Sequence, residues 1–574
     1  MKRHLHIIAL ALLIAAGSEA RAQDPTPTPA VIDAQNVAPE NIKGVPAIAE
    51  KYRSDDRSLP DLGRVGVDMT DQKPLTLRET IELALENNRD IEVARKTSTI
   101  AEWDLRGTGG IFQPRLTGQS YYERATAPNV SIFSNNQKTT QSSIIANATV
   151  QGYVPRFGTV LAGTFNNSRV TTDNPISILS PQDNSSLGFS LVQPLFRGRR
   201  FDAGRRTIEI AKRNISLTDT QFRQRSIEVV AMVEKAYWDL TYALRNLQVQ
   251  RDGVRDAKSQ LEHNRRLVEE GQLAPIDIVA AETQVANFEQ AVYDALNAVN
   301  TTENSLKNLV APNRVDAIWR QSLTPIESVE KDIPNTTLTE AMDLAIGNRP
   351  ELEINKTQKD INLLDQRLYR DQKKPQIDFT ASYTSAGIGG SQNPSFSPSF
   401  PTPCTTAPTS PACAQQQENL ALLTGNPFRG IFLNRYPVLR FGVNFNIPLF
   451  GDKTASAALG RSKVEAERLD VQREQIEQVI QVEVRNALQS VRTSEGRLRA
   501  AAIARENTAK QYESEQRKLD EGQSDIYKVL ERQTALATAR SNELRARTEL
   551  NKAIAELQRA TGNSLKANDI VPKK

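Results

Sequence analysis

The chain has 574 residues, 39% hydrophobic and 24% charged, and its 72 Lys plus Arg against 68 Asp plus Glu leave a formal net charge of +4. That balance excludes the basic surface of a typical nucleic-acid-binding protein. Three His and two Cys are too few for a zinc centre or for most acid–base catalysis, so no cofactor, no metal and no enzymatic activity are expected.

The N-terminus opens with Lys2 and Arg3, then the apolar run from Ile7 to Ala16, then Ala20-Arg21-Ala22. A basic start, a short apolar stretch and a small-x-small site read as a secretory signal peptide over residues 1–22. Cleavage there removes His4 and His6 and leaves His263 as the one histidine of the exported chain. No other apolar run approaches the ~20 residues of a spanning helix. Residues 23–74 are rich in Pro, Asp, Thr and Ala without periodicity and read as a linker.

From Leu75 onward the chain is a tandem duplication. LTLRETIELALENNRDIE (75–92) recurs as TTLTEAMDLAIGNRPELE (336–353), Pro194-Leu195-Phe196 as Pro448-Leu449-Phe450, and Glu270-Gly271-Gln272 as Glu521-Gly522-Gln523. Each half reads as helix, strands, very long helix, shorter helix. The spacing predicts a first helix from Thr76 to about Leu105, with Thr76 and Glu79 as a capping box, broken by the glycines of RGTGG (106–110).

Period-two alternation follows. In QIDFTASYT (376–384), VLRFGVNFNI (438–447) and SLGFSLVQ (186–193) apolar residues alternate with small polar ones, which predicts strands with one apolar face. Such a face serves a soluble sandwich or a membrane barrel; the small uncharged polar face and the clustered aromatics favour the barrel. Between Pro114 and Gln193 four strand-like stretches occur, against two clear strands and a long 387–434 loop in the second half. Either the first half has an extra hairpin, or it contributes more strands. Within that loop Cys404 and Cys413 form a disulfide in an oxidising compartment, or stand as two idle thiols.

From about Asp202 to Glu269, and from about Asp452 to Asp520, no Pro occurs. Apolar positions Ile227, Val230, Val233, Tyr237, Leu240, Leu244 and Leu247 step by three and four, the narrow seam of a coiled coil. Each helix would run roughly 100 Å at 1.5 Å per residue. Shorter helices at about 276–310 and 525–560 follow the EGQ turns and should return antiparallel.

Signal peptide, duplication, the strand-to-helix junctions Gln193–Phe196 and Ile447–Phe450, and the EGQ turns together resemble the TolC-like outer-membrane efflux protein family over residues 75–562. The resemblance implies an α+β membrane protein of the outer membrane: a trimeric β-barrel continued by a long periplasmic α-helical coiled-coil barrel. It divides the chain into repeat 1 (75–310), an inter-repeat linker (311–335), repeat 2 (336–562) and a C-terminal tail (563–574). It also implies the partners: two further copies of the chain, a periplasmic adaptor (membrane fusion) protein, an inner-membrane pump of the RND, ABC or MFS type, and outer-membrane lipid, with no nucleic acid. The implied function is a passive exit duct for efflux or type I secretion. The rival is an exported structural coiled-coil or adhesin-like protein with a small β domain.

Aligned on Gly271 and Gly522, the resemblance implies a periplasmic gate at Asp277, Lys528 and Glu531. Lys528 stands where the best-known member has an acidic residue, and Ser524 where it has a gate arginine. An Asp277–Lys528 pair between neighbouring helices is a possible substitute; ordinary solvent-facing charges are the alternative. The tips, including Gly271, Gln272, Gly522 and Gln523, are expected to meet the adaptor.

Overall fold

The computed structural model describes residues 64–128, 137–328, 332–397 and 401–571. The signal peptide and most of the N-terminal linker lie outside the described residues.

The chain enters on β1 (Asp68–Leu75), which pairs in parallel with β6 (Gln321–Pro325). Both fall in segments expected to be linkers, so the linkers are partly structured and joined to each other. Neither strand shows clean alternation in sequence, because a two-stranded parallel pair fixed by flanking helices needs none. The pair is pinned from below by a buried charge cluster. Glu303 accepts from Leu323 N at 2.7 Å and pairs with Arg64 and Lys307, while Lys307 donates to Trp319 O at 3.1 Å. Burial pushes the Lys307 ammonium below its ordinary value, against the pull of Glu303.

α1 (Leu77–Asn87) starts on the expected capping box, in which Glu79 N donates to Thr76 Oγ1 and Thr76 N to Glu79 Oε2. The single helix expected over 76–105 is, however, split. Asn88 adopts extended backbone and caps α2 (Arg89–Thr108) with its side chain, which also donates to Leu309 O. The second repeat has the same break: α5 (Leu338–Asn348) carries the Thr337–Glu340 box, and Arg349 precedes Pro350, the first residue of α6 (Pro350–Gln372). Proline disfavours helical backbone in the residue before it. Arg349 donates to the carbonyls of Arg559 and Ala560. In each repeat the interruption thus serves carbonyls that the last turn of a neighbouring helix cannot bond internally.

Six long strands form one antiparallel sheet in the order β2-β3-β4-β5-β7-β8: β2 (Arg115–Pro128), β3 (Lys138–Val154), β4 (Thr159–Thr172), β5 (Leu179–Pro194), β7 (Gln376–Gln392) and β8 (Tyr436–Asn446). Repeat 1 therefore supplies four strands and repeat 2 two. β2, β5, β7 and β8 connect directly to helices; β3 and β4 are the extra hairpin. Its turn is tied to the helical side, where Arg205 Nε donates to Pro155 O at 2.7 Å and Gln193 Nε2 to Phe157 O at 3.2 Å. The sheet is open, with β2 and β8 as its edges.

The segment expected as a long loop between β7 and β8 folds into α7 (Pro403–Thr406), α8 (Pro411–Leu423) and α9 (Pro427–Phe432), each with Pro in its first turn. Prolines that suggest irregular chain are here helix starters, since the missing N–H is not needed at that position. Cys404 of α7 and Cys413 of α8 are bonded to each other, with Cα atoms 4.5 Å apart.

α3 (Ala203–Glu269) and α10 (Lys453–Asp520) are the two very long helices, capped by Asp202 and Asp452. α4 (Ile276–Val310) and α11 (Ile526–Ala560) return along them. Tyr237 and Trp238 of α3 are fully buried edge to face, and the Tyr237 hydroxyl donates to Leu75 O. The C-terminal segment is not free either: α12 (Ser564–Ala567) is followed by Asn568, which donates to Glu234 Oε1 of α3.

Candidate functional site

Two hairpin tips and one sheet carry the features that bear on function. At the first tip Gly271 N donates to Val268 O and Gln272 N to Leu267 O; at the second, Gly522 N donates to Leu519 O and Gln523 N to Lys518 O. Both are Schellman closures, which need a residue in the left-handed region. Gly271 at φ +77° and Gly522 at φ +68° supply it. All four of Gly271, Gln272, Gly522 and Gln523 are exposed. Beside them Ile276, Val279 and Tyr527 are exposed apolar side chains lining a groove between α4 and α11, which Glu531 also borders.

The expected gate charges are not brought together within the chain. Asp277 accepts from Ala274 N at 3.1 Å, closing its own helix start, and no ion pair joins it to Lys528 among the described residues. Lys528 and Glu531 are exposed. Lys528 acts instead on Glu515, whose carboxyl is held below its usual value first by the Ser524 hydroxyl and then by Lys518 and Lys528. Ser524, read as the lost gate arginine, is therefore a ligand of Glu515.

Sequence reading missed the seam between the two repeats. Within repeat 2 the hairpin is apolar: Ile480, Val484, Leu488 and Val491 of α10 cluster with Leu550, Ile554 and Leu557 of α11. Leu519, Ile526, Val529 and Leu530 do the same near the tip. The contact of α3 with repeat 2 is polar for most of its length. Lys235 pairs with Glu556 at 2.6 Å, Lys552 with Asp239 at 2.7 Å, and Arg540 with Asp256 at 3.9 Å. Ser541 donates to Asn246 at 2.6 Å, and His263 meets Asp520 at 3.0 Å. A sparse histidine in the last turns of a long helix was the one available signal. Its partner, 257 positions away, had none.

In the sheet, directly opposed residues share a face. One row across all six strands reads Leu116, Val150, Gly163, Phe189, Tyr383 and Leu439. The adjacent row, on the other face, reads Arg115, Gln151, Ala162, Ser190, Ser382 and Arg440. Phe441, Val443 and Phe445 extend the apolar face along the β8 edge and are all exposed. Apart from α9, which covers part of it, this exposed apolar face has no cover among the described residues. No helix is long and apolar enough to cross a membrane among the described residues, which leaves a barrel open.

The family model described as "Outer membrane efflux protein" matches residues 80–311 and 341–563, one match per repeat. Among solved structures, the CusC channel is similar at 15% identity and a TM-score of 0.58, covering 85% of this chain and 92% of that one. The Campylobacter jejuni CmeC outer membrane channel is similar at 16% identity and a TM-score of 0.57, covering 85% and 86%. The Vibrio cholerae outer membrane protein VceC is similar at 12% identity and a TM-score of 0.56, covering 85% and 96%. No curated relative matches by sequence.

Proposed function

The chain belongs to the outer membrane efflux protein family, and from that membership we propose that three copies form a passive outer-membrane duct for a tripartite efflux or type I secretion system. The observation that carries this reading is the sheet: six strands, one apolar face, one small polar face and two open edges. Unpaired backbone groups are not tolerated in hydrocarbon, so the edges must find partners. The strand number is even and every neighbour is antiparallel. Thus β8 of one copy can pair antiparallel with β2 of the next, and the pattern closes without a parallel seam. The apolar face then meets lipid, and the Ser, Thr and Gln face lines a watery lumen.

Below the barrel, α3, α4, α10 and α11 of each copy contribute to a periplasmic tunnel. Its mouth lies at the Gly271 and Gly522 tips, where the exposed Ile276, Val279 and Tyr527 form the surface for a periplasmic adaptor, itself coupled to an inner-membrane pump. Asp277, Lys528 and Glu531 remain gate candidates between copies, since within one copy Lys528 and Glu531 are exposed and Asp277 is half-buried. Opening is a sliding of one hairpin past the other, a two-state rearrangement of packed helices. Ion pairs across the seam can exchange partners in water, whereas the apolar hairpin interiors resist separation. Conductance in planar bilayers with graded opening of the seam tests the reading: seam variants that leave conductance at the parental level would remove the gate from this position. The adhesin-like alternative accounts for neither the two family matches nor the continuous apolar face.

A further inference from the structure

The excursion between β7 and β8 does not stand away from the sheet. α9 folds back onto the apolar face. Ser385 Oγ donates to Ile431 O at 2.8 Å, Tyr383 Oη donates to Asn434 Oδ1 at 2.5 Å, and Phe428 stacks on Phe165 with ring centroids 6.0 Å apart. The seat is built for close approach: a Cβ on Gly387 would lie 1.8 Å from Pro427 O. Pro427, Gly430 and Ile431 are buried against it. The opposite side of α9 is bare, with Phe432 84% and Leu433 56% exposed. A helix held this firmly, with Phe432 and the following Leu433 aimed outward, needs a second apolar medium to account for them.

Its position says which medium. β7 leaves the helical side at Gln376, so Ser385 and Gly387 lie toward its far end. On this face Ile377, Phe379, Ala381 and Tyr383 form the apolar run, and beyond it the face turns polar, with Asn167, Ser185 and the Arg169–Asp183 pair. α9 sits at that border, beside Tyr383 and Phe165, where a barrel carries its interfacial aromatics. β5 and β7 are interior strands of the sheet order, so a second copy joining at β2 or β8 does not claim this place.

We infer that α9 is a membrane-interface anchor, with Phe432 and Leu433 inserted into the outer leaflet at the rim of the barrel. Arg429, exposed on the same helix, reaches anionic headgroups from that depth. The inference rests on the outer-membrane barrel reading, and the test separates the two.

The full chain carries no free thiol, because Cys404 and Cys413 are bonded to each other. A nitroxide attached at Phe432→Cys, or independently at Leu433→Cys, therefore reports one site. Each trimer-sized preparation is placed in phosphatidylcholine–phosphatidylglycerol vesicles, and collision with oxygen is compared with collision with a water-soluble nickel chelate. Leu439→Cys on the apolar face and Glu418→Cys on α8 give the lipid and water references. An oxygen-to-nickel ratio at 432 or 433 several-fold above that at 418 is the expected result. A ratio at both sites equal to that at 418, with 439 still in lipid, overturns the anchor alone. If 439 also reports water, the barrel reading falls and the anchor with it.

Discussion

His263, on the last turns of α3, meets Asp520, the final residue of α10, at 3.0 Å, and so joins the two repeats about two turns from the Gly271 tip and directly beside the Gly522 tip. One partly exposed pair is worth about 0.2–1 kcal/mol, too little to hold a tunnel shut. It acts with Arg540–Asp256 further along the same seam. Beside that pair Tyr512 of α10 is pushed up from its ordinary value by burial and then by Asp256, with Arg540 opposing. Three helices from two repeats meet there. The seam is a row of weak, separable contacts.

His263→Ala therefore raises open-channel probability modestly, and His263→Ala combined with Arg540→Ala raises it further. Single-channel recording reads both. A combined variant that conducts like the parent would show that the seam does not govern the mouth.

At Asp277 the structure predicts a local effect. The carboxylate closes the start of α4 on Ala274 N, a contact worth about 1 kcal/mol. Asp277→Ala lowers the stability of the tip, seen as faster amide exchange over 274–280, and Asp277→Asn restores much of it. Asp277→Ala and Lys528→Ala add without coupling in the monomeric chain. A coupling that emerges in the assembled protein would locate their pairing between copies.

Arg64 and Glu303 form a pair with both side chains buried. Removing Glu303 strands Arg64 and Lys307 out of water, at a cost of about 3–5 kcal/mol, whereas removing Arg64 leaves Glu303 paired with Lys307 and costs less. Arg64→Ala and Glu303→Ala should each lower the melting temperature and free β1 from β6. Double substitution to Met and Leu should recover part of the loss. Unchanged melting for both single variants would contradict the burial described for this cluster.

The pH dependence follows from Glu556. Burial alone would raise its carboxyl, but hydrogen bonds from Arg559 and Lys235 hold it below its ordinary 4.5. A carboxylate depressed on folding stabilises the protein above the unfolded value, and that contribution is lost as pH falls through the folded one. Glu543 is held low in the same sense by Arg505 and Arg547, against burial. Stability should thus fall below about pH 4.5, and Glu556→Gln should flatten that fall while lowering stability at neutral pH. An acid limb identical to the parent's would exclude this seam as its source.

Much of this architecture was readable from local chemistry. The Pro-free runs ended by Gly271 and Gly522 located α3 and α10 to within a residue, because caps and breakers act over one turn. Alternation marks the strands, whereas the four strand-like stretches of 114–193 leave the extra hairpin open until the sheet order is known. What failed to register was set by distant partners. Asn88 reads as an ordinary helical residue until Leu309 O is beside it. β1 and β6 exist through each other, and α9 through the bare backbone of Gly387. Within one copy Asp277 bonds Ala274 N and Lys528 lies in the field of Glu515, local arrangements that alignment on the tip glycines does not reveal.

The most direct test of the duct is the mass of the detergent-solubilised protein measured together with conductance in planar bilayers. Extraction by detergent alone, a mass about three times that of one chain, and stepwise ion currents from that species are the expected results. A monomer released without detergent, carrying no current, would contradict the duct.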